Sequence, residues 1–233
     1  MNGHPGGSRQ TLLMLDRAGL KPQASILDLG AGTGETVLLL RQLGFQARGI
    51  DLKPRRREPE NKSGSGREAE SGLLREDLAE PVGAADRSTN AAELLKTDLV
   101  EPGNLLQTGY RSASWDAVIS QCSFFVSGNE GAALAEACRL LKPGGVLMYA
   151  DVGFNGQAAF EQVVQETGFN LIYSQDWTKI WQEYYLECIW RGLEECRVQR
   201  PPGKKCGYYG LVAVKEEGKQ RLTGLGLLSL PAG

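Results

Sequence analysis

The residues whose types and spacing could carry chemistry are acids set around glycines. Asp28 stands just before a run in which glycine recurs at alternate positions, Gly30-Ala31-Gly32-Thr33-Gly34. Glycines in such a turn let a ligand approach the backbone, because side chains there would block it. Further acids, Asp51 and Asp98, close two later apolar runs. The dinucleotide fingerprint G-x-G-x-x-G, counted from Gly30, puts Glu35 where its last glycine belongs, so it fails. The chain has one histidine, His4, in the leader Met1-Asn2-Gly3-His4-Pro5-Gly6-Gly7. On this basis imidazole chemistry from the folded core is excluded. Disorder is the simplest expectation for the leader, with a flexible lid as the alternative.

These residues need a frame to position them. Residues 8–20 place apolar groups at helical spacing and stop at a glycine. A short apolar run at 25–29 leads into the glycines, a helical pattern follows at 35–43, and a second run at 46–52 carries Asp51 at its end. Strand, turn, helix and strand make one βαβ unit. Later runs at 94–99, 114–120, 146–150, 169–173 and 208–214 predict five more strands, with helices at 130–141 and 157–166. Seven strands with intervening helices describe an α/β doubly wound sheet.

The 233 residues and 41% hydrophobic content suit a single domain, 1–233. Two stretches interrupt it. Residues 53–90 are dense in Arg, Glu, Gly, Ser and Pro and predict a mobile charged insertion, with a short helix at 73–78 and a possible protein-partner role. Residues 176–200 predict an aromatic helical insertion between the last two strands. No apolar run is long enough for a bilayer, and the leader lacks the apolar stretch of a secretory signal, so no membrane role and a cytoplasmic location are expected. A net charge of −2 gives no general attraction to a phosphate backbone, which argues against nucleic acid as a partner. The five cysteines, Cys122, Cys138, Cys188, Cys196 and Cys206, include no C-x-x-C pair. Reduced thiols and no metal site are expected.

The glycine turn with Asp28 resembles the first motif of class I S-adenosylmethionine-dependent methyltransferases. The resemblance continues through Gly49-Ile50-Asp51, Thr97-Asp98-Leu99, Trp115-Asp116-Ala117-Val118 and Leu140-Leu141-Lys142-Pro143-Gly144-Gly145. It implies a mostly parallel seven-stranded sheet whose last strand is antiparallel, with S-adenosyl-L-methionine as cofactor. By the same resemblance Asp51 takes the ribose hydroxyls, Leu52 flanks the adenine, and Asp98 with Leu99 receives its amino group. Gly30, Ala31, Gly32, Thr33 and Gly34 clear space for the methionine part and ribose, while Asp28 organises the turn and reaches the ammonium. Gln121 and Cys122 lie near the sulfonium.

The expected acceptor is a small molecule, methylated by direct in-line transfer, a reaction that needs little beyond alignment. The Asn/Asp-Pro-Pro-Tyr/Phe motif of many DNA and protein-glutamine methyltransferases is replaced by Ser120-Gln121-Cys122-Ser123-Phe124. Ser123, Asp151, Trp177, Trp181 and Tyr184 are the candidate acceptor residues. Asp151 is the carboxylate that could take a proton, and the aromatic groups are a face that could cap a planar substrate, packing being the plainer role. No catalytic base is assigned. The alternatives are a non-catalytic module that keeps the cofactor pocket, an arsenite-type enzyme using the cysteines, and a nicotinamide-dependent oxidoreductase.

Overall fold

The computed structural model describes residues 4–54, 99–192 and 206–217. Helix α1 (Gly7–Ala18) leads into β1 (Ser25–Leu29), followed by α2 (Glu35–Gln42) and β2 (Gln46–Asp51). Next come β3 (Val100–Pro102), β4 (Trp115–Gln121), a helix α3 (Glu130–Leu140) and β5 (Leu141–Phe154). Helix α4 (Gln157–Glu166), β6 (Phe169–Asp176), α5 (Thr178–Trp190) and β7 (Cys206–Lys215) complete the described elements.

The strands form one sheet in the order β3-β2-β1-β4-β5-β7-β6. The first five are parallel, and β7 lies antiparallel between β5 and β6. The expected doubly wound sheet with an antiparallel last strand is therefore present. Strand periodicity sorts side chains onto two faces. Leu27, Leu29, Val118, Leu147 and Tyr149 pack with Leu134, Leu140, Phe160 and Val164 from α3 and α4. Their neighbours Ile26, Ala117, Ile119, Met148 and Ala150 pack with Met14 of α1, Val37 and Leu40 of α2 and Trp181 of α5. Both faces are covered, which is why the central strands read as continuous apolar runs.

The expected third strand at 94–99 lies, Leu99 apart, outside the described residues. Pairing with β2 is made by Val100–Pro102, Gly49 standing opposite Val100. An edge strand needs burial on one side only and tolerates the missing amide of Pro102. Asp98, the expected helix at 73–78 and nearly all of the 53–90 insertion lie outside the described residues. Strand β5 begins five residues earlier than expected: Leu141 pairs with Trp115, and the Lys142-Pro143-Gly144-Gly145 turn lies inside the strand as an irregularity of the β4 pairing. The aromatic insertion is ordered as α5 up to Trp190, and residues 193–200 lie outside the described set. Among the described residues no helix is long and apolar enough to cross a membrane.

Candidate cofactor and acceptor site

The strand order reverses direction between β1 and β4, and ligands of open α/β sheets sit beyond the carboxyl ends of the strands at such a point. Here those ends carry the glycine turn and Gln121. Gly30, Gly32 and Gly34 have φ of 85°, 54° and 80°, all left-handed. Each glycine answers a different need. A Cβ at Gly30 would lie 2.2 Å from Ser123 Oγ, and one at Gly34 would lie 2.9 Å from both Leu99 Cβ and Val100 Cγ2. At Gly32 it would meet nothing within 4 Å, so this glycine alone opens the backbone to space. The amides of Gly30 and Ala31 both donate to Ile50 O at 2.9 Å, and Gly34 N donates to Ala31 O at 2.8 Å, so the turn that includes Thr33 is pinned to β2.

Two acids face this turn. Asp51 accepts from Gly32 N at 3.0 Å with one oxygen and from Lys53 N at 2.8 Å with the other. Leu52 beside it is 72% exposed, an aliphatic surface without a cover. Asp28 is buried, and no donor among the described residues is bonded to its carboxyl group. Burial, reinforced by the charge of Asp51, raises its pKa to about 7. A buried carboxyl next to a second acid is stabilised as an anion only when a cation arrives. Leu99 packs against Gly34 and accepts from Gly49 N at 3.0 Å, which closes the far rim of the turn.

Beyond β4 the chain bends sharply. Cys122 has φ of 58°, its amide donates to Ala150 O at 2.9 Å, and its Sγ lies 3.2 Å from Tyr208 Oη. Ser123 Oγ donates to Gly30 O and Gln121 O, both at 3.1 Å, and so ties the β4 bend to the glycine turn. Asp151 is 1% exposed. Its carboxylate accepts from Phe125 N at 3.0 Å and from Val152 N at 2.8 Å, and burial raises its pKa to about 7 against those hydrogen bonds. One oxygen thus holds the loop after β4 and the other the backbone of β5 itself.

The aromatic face divides. Trp177 is 2% exposed and its ring lies against Gly210 of β7, where a Cβ would stand 2.2 Å from Trp177 Cζ3. Trp181 and Cys188 are equally buried, Trp181 packing edge-on against Tyr185. These side chains build the core, the plainer of the two expected roles. Tyr184 is half-buried and borders an open cavity of about 290 Å³, shared with His4, Ile180 and Glu183.

His4 overturns the exclusion drawn from the sequence. Gly6 and Gly7, with φ of 78° and 53°, fold the leader back at the start of α1, and Gly7 N donates to His4 O at 3.0 Å. The imidazole thereby reaches the end of β4. His4 Nδ1 lies 3.2 Å from Gln121 Nε2, His4 Nε2 lies 3.3 Å from Thr11 Oγ1, and Thr11 Oγ1 donates to Gln121 Oε1 at 3.2 Å. With the proton on Nε2, every donor in this ring meets an acceptor: amide to imidazole, imidazole to hydroxyl, hydroxyl to amide. Burial lowers the imidazole pKa to about 4, so the ring is neutral at pH 7. The Gln121 contact spans 117 residues and leaves no trace in local patterning. The one available signal was the His-Pro-Gly-Gly turn directly ahead of an apolar helix.

The glycine turn, the paired acids and the sheet define a nucleotide-type cofactor site of the class I methyltransferase fold. Residues 8–190 match the methyltransferase domain family, and the chain belongs to it. The chain is 25% identical over 185 residues to an uncharacterised methyltransferase, YodH, of Bacillus subtilis (strain 168), covering 78% of this chain and 67% of that protein. Phosphoethanolamine N-methyltransferase 2 of Haemonchus contortus, solved with S-adenosyl-L-methionine, is similar with a TM-score of 0.60 at 18% identity. That match takes in 92% of this chain but only 54% of the Haemonchus enzyme, so the chain spans about half its length. The [4+2]-cyclase SpnF is similar with a TM-score of 0.61 at 18% identity, covering 90% of this chain and 82% of that one.

The chain is an S-adenosylmethionine-dependent methyltransferase. Its own residues fit that cofactor. Asp28 offers a buried carboxyl that lacks a donor among the described residues, suited to an ammonium group, and Asp51 offers a carboxylate suited to a ribose diol. Gly32 leaves open backbone between them.

Proposed function

We propose that this enzyme methylates a small-molecule acceptor that enters between the N-terminal turn and α5. The observation that carries the reading is the buried Asp28 carboxyl beside Asp51, without a donor among the described residues, and the open backbone of Gly32, a site that favours a cationic ligand. Asp28, Asp51 and Leu52 hold the cofactor, with Gln121 and Cys122 at its reactive end and Ser123 joining the two loops. Asp98 and Leu99 are assigned to the adenine side. The bound cofactor supplies a methyl group on a sulfonium, already activated for transfer.

What remains for the protein is to align the acceptor and exclude water. His4 and Tyr184 border the same cavity and are the acceptor-side residues in this reading. A neutral imidazole suits the place, because an imidazolium near a sulfonium would repel it. The size of the cavity, about 290 Å³, favours a small acceptor over a protein side chain carried on a bulky surface. The solved Haemonchus relative has also been crystallised with phosphomonomethylethanolamine, a small molecule.

The test is incubation of the full chain with S-adenosylmethionine labelled in its methyl group and a cell extract separated by size. Label is expected in the small-molecule fraction. Label confined to macromolecules would overturn the acceptor class, and tight cofactor binding with no transfer to either fraction would favour a non-catalytic binding module.

A further inference from the structure

The loop that follows β4 is gripped from both faces of the sheet. Strand alternation sets Asp151 of β5 on the face covered by α3 and α4, where it accepts from Phe125 N at 3.0 Å. Tyr208 of β7 stands opposite Val152 of β5, on the face covered by α1, α2 and α5, and reaches Cys122.

Cys122 needs such a grip. Its φ of 58° is left-handed, a region that a residue with a side chain rarely enters. Across the same point of strand reversal, Gly30, Gly32 and Gly34 take left-handed values with no Cβ to oppose them. Residues 121–127 include no glycine, so the bend after β4 is imposed by what surrounds it.

Tyr208 supplies that constraint with one group. Its side chain is fully buried, and its Oη lies 3.2 Å from Cys122 Sγ and 3.4 Å from Ala150 O. Ala150 O also accepts from Cys122 N at 2.9 Å, so thiol, hydroxyl and amide close a ring around one carbonyl. Both hydroxyl contacts form together in one arrangement: the thiol donates to Tyr208 Oη and the hydroxyl donates to Ala150 O. Burial holds the phenol well above its usual pKa, so it keeps the proton this arrangement needs. The tyrosine is itself fixed through its backbone, Tyr208 N donating to Thr178 Oγ1 at 3.1 Å and Tyr208 O accepting from Trp177 N at 2.8 Å. The grip therefore passes from the start of α5 through β7 to the end of β4.

We propose that Tyr208 is a positioning residue for methyl transfer: its hydroxyl holds Cys122 in the left-handed bend and so sets Gln121 and Cys122 beside the methyl group. The proposal rests on the reading above that these two residues stand at the reactive end of the cofactor. In-line transfer depends on alignment, and a displacement of about 1 Å can cost about 100-fold in rate.

The probe is S-adenosylmethionine carrying carbon-13 in its methyl group, bound to the full chain without an acceptor and followed by a carbon–proton correlation spectrum. Tyr208→Phe deletes the hydroxyl and keeps the ring, and the bound methyl signal is expected to shift from its wild-type position. The adenine and ribose signals, the thermal melt and the affinity for S-adenosylhomocysteine are expected to stay unchanged. Cys122→Gly removes the thiol and frees the bend from its Cβ. The methyl signal should shift there too, and adding Tyr208→Phe to that variant should shift it no further. At saturating cofactor, labelled methyl transfer into a cell extract should fall about tenfold in Tyr208→Phe. A methyl signal that ignores Tyr208→Phe but moves in Cys122→Gly would overturn the proposal and leave the reactive-end reading standing. A signal indifferent to both changes would overturn both. Shifts that add in the double variant would also overturn the proposal, because the hydroxyl would then act other than through Cys122.

Discussion

The two ends of the sheet are electrostatic opposites. At the carboxyl ends stand Asp28 and Asp51, and a buried acceptor nearby, Gln10 Oε1, has no partner. At the amino ends stand Arg41, Arg48 and Arg111, and the buried group without a partner is a donor, Trp115 Nε1. One scaffold thus gathers carboxylates at one end and guanidinium groups at the other. The difference teaches that the fold sets where cavities open, while the charges at strand ends set what enters them.

The contrast is broken most severely at Asp51. Asp51→Ala removes the ribose acceptor and the partner of Gly32 N, and S-adenosylhomocysteine is expected to bind about 100-fold more weakly by calorimetry. Unchanged affinity in this variant would remove Asp51 from the cofactor site. Gly34→Ala probes packing at the cofactor end. Its Cβ meets Leu99 and Val100 at 2.9 Å with φ at 80°, and denaturant unfolding should show a loss of about 2 kcal/mol.

The third test uses pH. Because the free Asp28 carboxyl titrates at about 7 and a cationic ligand favours its anion, binding releases a proton and affinity rises with pH. Between pH 6 and 8 the affinity for S-adenosylhomocysteine should increase about tenfold. In Asp28→Asn the profile should be flat over that range, and a slope that persists would move the titration to another group. The smallest effect is expected at His4. His4→Ala should slow methyl transfer about fivefold by loosening the wall at Gln121, yet leave S-adenosylhomocysteine affinity within about twofold. Equal losses in both would place His4 on the cofactor side.

Much of the cofactor end was legible because its signals are local. Asp28 and the three glycines occupy seven consecutive residues, and Asp51 follows one helix later, so the spacing of a single βαβ unit carried them. The pairing of Val100–Pro102 with β2 was not legible, because an edge strand buries little and leaves a weak pattern. The aromatic helix was found, but its helical spacing did not tell which side turns inward: Trp177 and Trp181 enter the core and Tyr184 stays at the mouth.

By itself the sequence determined the apolar runs of the sheet and the glycine turn, because strand pattern and backbone φ preferences act over a few residues, and the resemblance of its motifs implied the cofactor. Only the tertiary structure decided the rest. It brought His4 to Gln121 across the chain, gathered Arg41, Arg48 and Arg111 around one cavity, and committed Asp151 to the amides of Phe125 and Val152. It also raised Asp28 to about 7. The physical reason is common to all four: contact, desolvation and charge proximity depend on which surfaces the folded chain brings together, and no short window of residues contains that information.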